Sequence, residues 1–170
     1  MNTVSPDGDN LIVTGWFSNS VQVIDPADGA ILEDIRTLAV PTNAIRHGER
    51  LVAATIGTGN IVDATTGEEI LGGLSVPLGL ASDGQTLYVG DWATGIIHAV
   101  APDGTSTVAV TGLTTPEGLA IFGDRLLVVE EALDRIVIVD PISGRIVPII
   151  EGLNLGSRVI PGAVPYGIFN

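Results

Sequence analysis

The chain has 170 residues, with seven basic residues, twenty acidic ones and a formal net charge of -13. Clustered basic charge is what binds phosphate groups, so this balance argues against a nucleic-acid partner and against an anionic membrane surface. Cysteine is absent, which excludes disulfides, thiolate metal sites and a cysteine nucleophile. Hydrophobic residues make up 45% of the sequence, and no apolar run approaches the roughly 20 residues of a membrane helix, so we expect a globular domain.

The sequence repeats itself with a period of about 40 residues. One column is a leucine that opens a short apolar run. Its members are Leu11, Leu51, Leu87 and Leu126, spaced 40, 36 and 39 residues apart. Two further columns share the period. They are Pro41, Pro77 and Pro116, and the Gly-Leu pairs at Gly73, Gly112 and Gly152. Three columns with one period predict repeat units at about 1–38, 39–74, 75–113 and 114–153 within a single domain.

The first unit begins with a turn sequence, Ser-Pro-Asp-Gly at residues 5–8. This turn matches residues 82–84 of the third unit, which follow a Pro-x-Gly segment there. We therefore expect the first unit to lack its own Pro-x-Gly strand. Residues 1–10 are polar and show no signal peptide. The compartment stays open, with a periplasmic or secreted parent protein as one hypothesis.

The second unit offers little chemistry. Residues 57–59 (Gly-Thr-Gly) precede neither a helix nor a lysine, so they do not form a phosphate loop. His47 lies in a turn sequence, His-Gly-Glu. His98 of the third unit lies mid-strand, where Gln22 and Val137 hold the equivalent places, so neither histidine is a candidate catalytic base.

The third unit shows the organisation of a repeat. Four short apolar segments are separated by turn signals such as Ser-Asp-Gly at 82–84 and Pro-Asp-Gly at 102–104. Four antiparallel strands in about 40 residues are typical of a β-propeller blade. We therefore predict an all-β propeller of about four blades, part of a larger six- or seven-bladed one. A Greek-key sandwich is the main alternative, but it would not repeat itself.

The fourth unit carries a resemblance. Residues 116–120 (Pro-Glu-Gly-Leu-Ala), 123–130 and 135–141 look like one blade of a repeat propeller, and the pattern recurs at 77–104 and in part at 5–29. The chain resembles the NHL and YVTN-type repeat propellers, and also the gluconolactonase/regucalcin-like and streptogramin-lyase-like propellers. The resemblance covers essentially the whole chain and is specific for architecture. Those families include calcium-dependent lactonases, a magnesium-dependent lyase and binding proteins without catalysis.

The resemblance also implies a place for a metal ion. Lactonase-like propellers use the middle residue of Pro-x-Gly to reach a central divalent cation. Here that column holds Thr42, Leu78, Glu117 and Tyr166. Glu117 is the one good ligand for Ca²⁺ or Mg²⁺ among them, whereas calcium takes six to eight oxygens.

The chain ends with Pro-Tyr-Gly-Ile at residues 165–168, which opens a fifth unit at 164–170. Two alternatives follow. The chain is a piece of a longer propeller, or its terminal strand completes the first blade and closes a ring of four. Pro116 and Pro165 are 49 residues apart, so residues 154–164 form an insertion of about ten residues, and long loops on a rigid scaffold often carry function.

In a propeller, the first strand of each blade lines the channel, and the loops that precede it share a face with the turns after the second strand. We expect several candidate ligand residues on that face. They are Trp16, Asp91, Trp92, Glu130, Arg158 and Tyr166, with Glu131 as a solvated charge. Each has a structural alternative: turn amides for the two acids, inter-blade packing for the tryptophans and surface pairing for Arg158.

Two functions remain open. One is a binding scaffold that holds a small molecule or a protein partner on the channel face. The other is a divalent-cation-dependent lactonase or a lyase-like enzyme. Open blade edges also predict self-association, because the sequence shows no polar cap at either end.

Overall fold

The computed structural model describes residues 3–155, which form four sheets of four antiparallel strands and one short 3-10 helix. In each sheet the strands lie side by side in chain order. The first two sheets are β1 (Val4–Asp7), β2 (Asn10–Gly15), β3 (Ser20–Ile24) and β4 (Ile31–Ile35), then β5 (Pro41–His47), β6 (Arg50–Thr55), β7 (Asn60–Asp63) and β8 (Glu69–Leu71). We call these sheets blades 1 and 2.

Blades 3 and 4 repeat the pattern. They are β9 (Pro77–Ser82), β10 (Leu87–Asp91), β11 (Ile96–Val100) and β12 (Ser106–Val110), then β13 (Pro116–Phe122), β14 (Arg125–Glu130), β15 (Arg135–Val139) and β16 (Ile146–Ile150). The 3-10 helix, Glu131–Leu133, joins β14 to β15. None of the helical structure in residues 3–155 is long and apolar enough to cross a membrane.

The first strands of the blades lie at the centre of the assembly, where β1 contacts β5, β5 contacts β9 and β9 contacts β13. The described blades therefore form an open, partial propeller, which confirms the predicted all-β fold. The alternative of a closed ring of four blades is wrong for these residues.

The expectation that blade 1 lacks its first strand is also wrong. β1 pairs with β2 from Val4 opposite Val13 to Asp7 opposite Asn10. It is four residues long, against six in β9 and seven in β13. The strand begins without Pro-x-Gly, so the motif could not reveal it.

The strands follow from alternation of side chains between the two faces of a blade. In β10, Leu87 and Val89 face blade 2, whereas Tyr88 faces blade 4. The close approach of neighbouring inner strands explains the glycine of the Pro-x-Gly motif. A Cβ on Gly79 would lie 2.9 Å from the carbonyl oxygen of Glu117 on the next inner strand.

Three apolar clusters fill the spaces between neighbouring blades. Between blades 1 and 2 the cluster contains Ile12, Val21 and Leu51. Between blades 2 and 3 it contains Val52, Ile61 and Leu87, and between blades 3 and 4 it contains Ile97, Leu126 and Val128. Each blade therefore buries its apolar side chains against its neighbours, as in other repeat folds.

Candidate functional site

One face of the assembly is organised by a repeated backbone hydrogen bond. The residue after the second strand donates its N–H to the residue before the Pro-x-Gly segment. The bonds run from Ile56 to Val40 (3.2 Å), from Trp92 to Val76 (2.9 Å) and from Glu131 to Thr115 (3.2 Å). We call the surface formed by these turns and strand starts the channel mouth. As the sequence predicts, the turns after the second strands share this face with the segments that precede the first strands.

Asp91 is buried at this face and holds the connection between blades 2 and 3. Its two carboxylate oxygens accept hydrogen bonds from the N–H groups of Ser75 and Val76, both at 2.9 Å. The turn-amide bonds anticipated for this residue are thus present. Since both carboxylate oxygens accept backbone N–H groups, the role of Asp91 is to hold this connection in place and not to bind a ligand directly.

Glu130 occupies the same position in blade 4 and is 0% exposed. One oxygen accepts the N–H of Thr114 and the other accepts Arg135 Nε, both at 2.6 Å. Sequence analysis missed Arg135. A signal was available, because Glu130 and Arg135 are directly opposite across the β14–β15 hairpin.

Thr115 ties together the two segments that carry Glu117 and Glu131, whose charges influence each other. The Thr115 carbonyl accepts the N–H of Glu131, and its side-chain oxygen accepts the N–H of Ala132 at 2.8 Å. Glu117 follows two residues later, at the start of β13. The 3-10 helix is therefore fixed beside the first residues of the inner strand β13.

This carboxylate pair is electrostatically unusual. Burial, with a smaller contribution from the charge of Glu131, raises the pKa of Glu117 to about 7. Burial, together with the nearby Asp134, also raises the pKa of Glu131. Within residues 3–155, neither carboxylate forms an ion pair. The arrangement can bind a cation or exchange a proton near neutral pH.

The two tryptophans are both half-buried at the channel mouth. Trp16 stacks on Phe17 with ring centroids 6.3 Å apart, and Phe17 is 86% exposed. The Trp92 ring nitrogen is buried and has no hydrogen-bond acceptor among the described residues. Neither ring is among the residues of the three described inter-blade clusters. The Trp92 ring nitrogen is thus a buried donor without a partner in the described part of the chain.

The Pro-x-Gly column gives a poor fit to a divalent cation. Thr42 is buried and donates its hydroxyl to the Pro77 carbonyl at 2.9 Å, and Leu78 is a buried aliphatic residue. Glu117 thus supplies the one carboxylate of the column within the described range. No group of three or more His, Asp or Glu residues between 3 and 155 is placed to hold a metal ion. These residues do not form a calcium or magnesium site by themselves.

The concave side of the assembly holds a cleft of about 440 Å³. All four inner strands line it, through residues such as Ser5, Asn43, Leu80 and Leu119. Because β1 and β13 both contribute, the cleft spans the whole arc of described blades.

The histidines lie away from the channel mouth. His47 ends β5, and its Nδ1 is 2.7 Å from the hydroxyl of Ser82. Burial lowers the pKa of His47, which favours the neutral ring. His98 is half-buried on β11. Two other candidates, Arg158 and Tyr166, lie outside the described residues.

Comparison with solved structures assigns the class of fold, a β-propeller. A virginiamycin B lyase from Staphylococcus aureus matches with a TM-score of 0.70 at 16% identity, over 89% of this chain and 56% of that one. A streptogramin B lyase matches with a TM-score of 0.70 at 16% identity, over 86% and 53%. A chain of a nidogen/laminin complex matches with a TM-score of 0.57 at 14% identity, over 81% and 74%.

These similarities show the propeller fold and no particular activity. The chain spans about half the length of the two lyases it matches. No protein-family model and no curated protein matches the sequence. None of the three structures is a gluconolactonase, so that part of the resemblance stays a prediction.

Proposed function

We propose that this chain is a binding scaffold whose channel mouth takes a cationic group of a small molecule or a protein partner. The observation that carries the proposal is the carboxylate pair Glu117 and Glu131, which no described arginine neutralises. Two carboxylates close together repel each other, and a bound cation relieves that repulsion. The half-buried ring of Trp92 lies at the same channel mouth, after the second strand of the preceding blade.

The pKa of Glu117 gives binding a characteristic pH dependence. At pH values below about 7 the Glu117 carboxyl is protonated for most of the time. Because a neutral carboxyl attracts a cation less strongly, affinity falls as the pH drops from 8 to 6. Binding at pH 7 releases protons, since the cation stabilises the ionised form.

The test is a titration of the chain with small primary amines and diamines, followed by calorimetry at pH 8 and pH 6. Glu117→Gln is expected to weaken binding about tenfold or more, the loss of one close ion pair. Glu49→Gln is the matched control, because Glu49 is exposed in the turn between β5 and β6. Equal affinity of both variants would show attraction to the overall charge of -13 and reject the site.

A second candidate function is an enzyme, favoured by the same raised pKa and by the structural similarity to two lyases. A carboxyl with a pKa near 7 is suited to proton transfer at neutral pH. In this hypothesis Glu117 removes or donates a proton in a lyase-like elimination or in lactone hydrolysis. Calcium or magnesium would need ligands beyond the described residues.

Incubation with virginiamycin B and with simple lactones, with and without Ca²⁺ or Mg²⁺, separates the two functions. Mass spectrometry detects product in either reaction. An enzyme would show turnover that is lost in Glu117→Gln and that changes through a pH near 7. Turnover would rise with pH if Glu117 removes a proton and fall if Glu117 donates one. Saturable amine binding without turnover supports the scaffold alone.

A further inference from the structure

The three inter-blade interfaces use the same sequence positions each time. We call the face that a blade turns towards the next blade along the chain its leading face, and the opposite face its trailing face. In blade 3 the leading face carries Ala81, Ile97 and Val110, which are buried between blades 3 and 4. The trailing face of blade 3 carries Leu87 and Val89, which are buried between blades 2 and 3. The two end blades each leave one such face without a described neighbour.

The leading face of blade 4 is aliphatic at the interface positions. By strand register, Val129, Ile136 and Ile150 correspond to Gly90, Ile97 and Val110 of blade 3. Ile150 is 45% exposed, whereas Val110 is 1% exposed. The face also includes Leu127, Ile138 and the exposed Phe122.

The trailing face of blade 1 mirrors it. Val4 stands where Ala44 stands in blade 2, and it is 47% exposed while Ala44 is 0% exposed. Leu11, Val13 and Ile24 are half-buried at positions where blades 2 to 4 have fully buried side chains. Gln22 is polar on this face, and it donates a hydrogen bond to Asp34, which lies opposite it on β4.

The rims of the first two interfaces follow a rule as well. The residue four before the leucine of the repeat contacts the residue five before the leucine of the next blade. Asp7 pairs with Arg46 at 2.7 Å, and His47 bonds to Ser82 at 2.7 Å. At the ends these positions hold Phe122 on blade 4 and Pro6 on blade 1, so they would meet as an apolar pair.

We propose that two copies of this chain associate head to tail, with blade 4 of each copy against blade 1 of the other. Both faces belong to the same chain and continue an interface that the fold already uses three times. Two four-bladed arcs give eight blades, within the range of known propellers, at about 45° per blade. The second interface forms within the pair, so closing the ring strengthens the first.

The channel would then be closed by inner strands of both copies. The cleft of about 440 Å³ is therefore half of a shared site.

Size exclusion with light scattering tests the stoichiometry of the 170-residue chain. We expect a discrete species of twice the 17.5 kDa monomer mass. Val129→Asp on blade 4 and Val13→Asp on blade 1 should each give monomer, with circular dichroism confirming that the chain stays folded. Ile142→Asp is the control, because Ile142 is 95% exposed in the β15–β16 turn, and it should remain a dimer.

Cross-linking tests the head-to-tail geometry without a destabilising change. The chain has no cysteine, so the double variant Pro6→Cys, Phe122→Cys carries the only thiols. A short bismaleimide linker should join two chains in the double variant and leave each single variant unlinked. A linked Phe122→Cys single variant would show blade 4 against blade 4 and overturn the proposal.

A folded monomer at all concentrations, an open head-to-tail polymer or a polydisperse aggregate would also overturn the proposal, because each lacks the closed pair. The proposal does not depend on the cation site. Glu117→Gln should remain a dimer, so failure of the proposed binding function leaves the association intact and can be recognised separately.

Discussion

Side-chain length decides how one position serves two blades differently. Asp91 is short and reaches two adjacent N–H groups of the preceding connection. Glu130 is one methylene longer, so it reaches one N–H and takes Arg135 as a second partner. A buried carboxylate is stable only when its oxygens are satisfied, and each residue achieves this in its own way.

Asp91→Asn should lower the free energy of unfolding by about 1–3 kcal/mol, because the amide group keeps one acceptor and opposes a buried N–H with its own donor. Urea unfolding measures the change. Asp124→Asn is the control, since the Asp124 side chain is 88% exposed and lies 3.7 Å from Arg125. Its effect should stay below about 0.5 kcal/mol. Equal losses in both variants would contradict the role assigned to Asp91.

Glu117 should make stability depend on pH. Its pKa is raised from 4.5 to about 7 in the folded protein, so the folded state binds the proton more tightly than the unfolded state. The stability that the protonated Glu117 carboxyl contributes is fully present below pH 4.5 and is lost as the pH rises through 7. Glu117→Gln should therefore be more stable than the wild type above pH 7, by about 1 kcal/mol after allowance for solvent screening.

Urea unfolding at several pH values between 4 and 8 checks this prediction. The difference between Glu117→Gln and wild type should grow with pH and level off above 7. Glu49→Gln provides the comparison and should show no such trend. A constant difference for Glu117→Gln would mean that the carboxyl is not perturbed.

Part of the site was predictable from the sequence at this scale. Asp91 and Glu130 follow the second strand in equivalent repeats, so their shared support of a connection could be anticipated. The approach of Glu131 to Glu117 could not. It depends on the turn at Thr115, where φ is 47°, and on the 3-10 helix that this turn anchors. Such loop geometry has no counterpart in the repeat columns.

At the scale of the elements, the hairpin between the second and third strands docks on the connection that follows its own blade. Gly95 has a φ of +69° and accepts the N–H of Leu113 at 3.2 Å, and Gly59 does the same for Leu74 at 2.9 Å. A Cβ on either glycine would overlap the leucine carbonyl oxygen. Blade 4 uses Asp134 at this place, with a φ of 50°.

Gly95→Ala should therefore destabilise the protein by more than the strain of a positive φ. Gly8 isolates that strain, because its φ is +62° and a Cβ there meets nothing within 4 Å. We expect a loss of about 1 kcal/mol for Gly8→Ala and about 3 kcal/mol or more for Gly95→Ala. Thermal and urea unfolding of both variants measure the difference. Similar losses would show that the hairpin moves away at little cost.

The strand pattern was largely predictable, since apolar segments alternate with Asp-Gly and Asp-Pro turns in every unit. β1 was the exception. It was inferred to be missing because the Pro-x-Gly motif is absent, whereas pairing with β2 needs only backbone groups and a suitable register. Motif columns thus identify the blades better than they identify every strand.

At the scale of the whole molecule, the blades differ in how many neighbours cover them. Blades 2 and 3 have a described blade on both faces, and blades 1 and 4 have one on a single face. Amides in β6 and β10 should therefore exchange with solvent most slowly, and those in β1 and β16 fastest. Hydrogen exchange on the Val129→Asp variant measures this without self-association. Uniform protection across the four blades would contradict the idea that covering neighbours stabilise a blade.

The overall architecture was also predictable, because a 40-residue period with four strands per unit favours a propeller over a sandwich. Its openness was not, because each unit specifies contacts with a neighbour and says nothing of how many neighbours exist. Val4 and Ile150 are aliphatic whether or not a blade covers them.

Turns between neighbouring strands of a blade contribute to the acidity of this chain, which has twenty acidic residues. Five of these turns use an aspartate oxygen to accept backbone N–H groups. The residues are Asp25, Asp63, Asp83, Asp103 and Asp140. These bonds lower the pKa of Asp103 and of Asp140, so both stay ionised well into the acidic range. Asparagine can supply the same acceptor oxygen. A strongly negative surface is thus partly a by-product of turn building, and a version with five fewer charges could keep every turn.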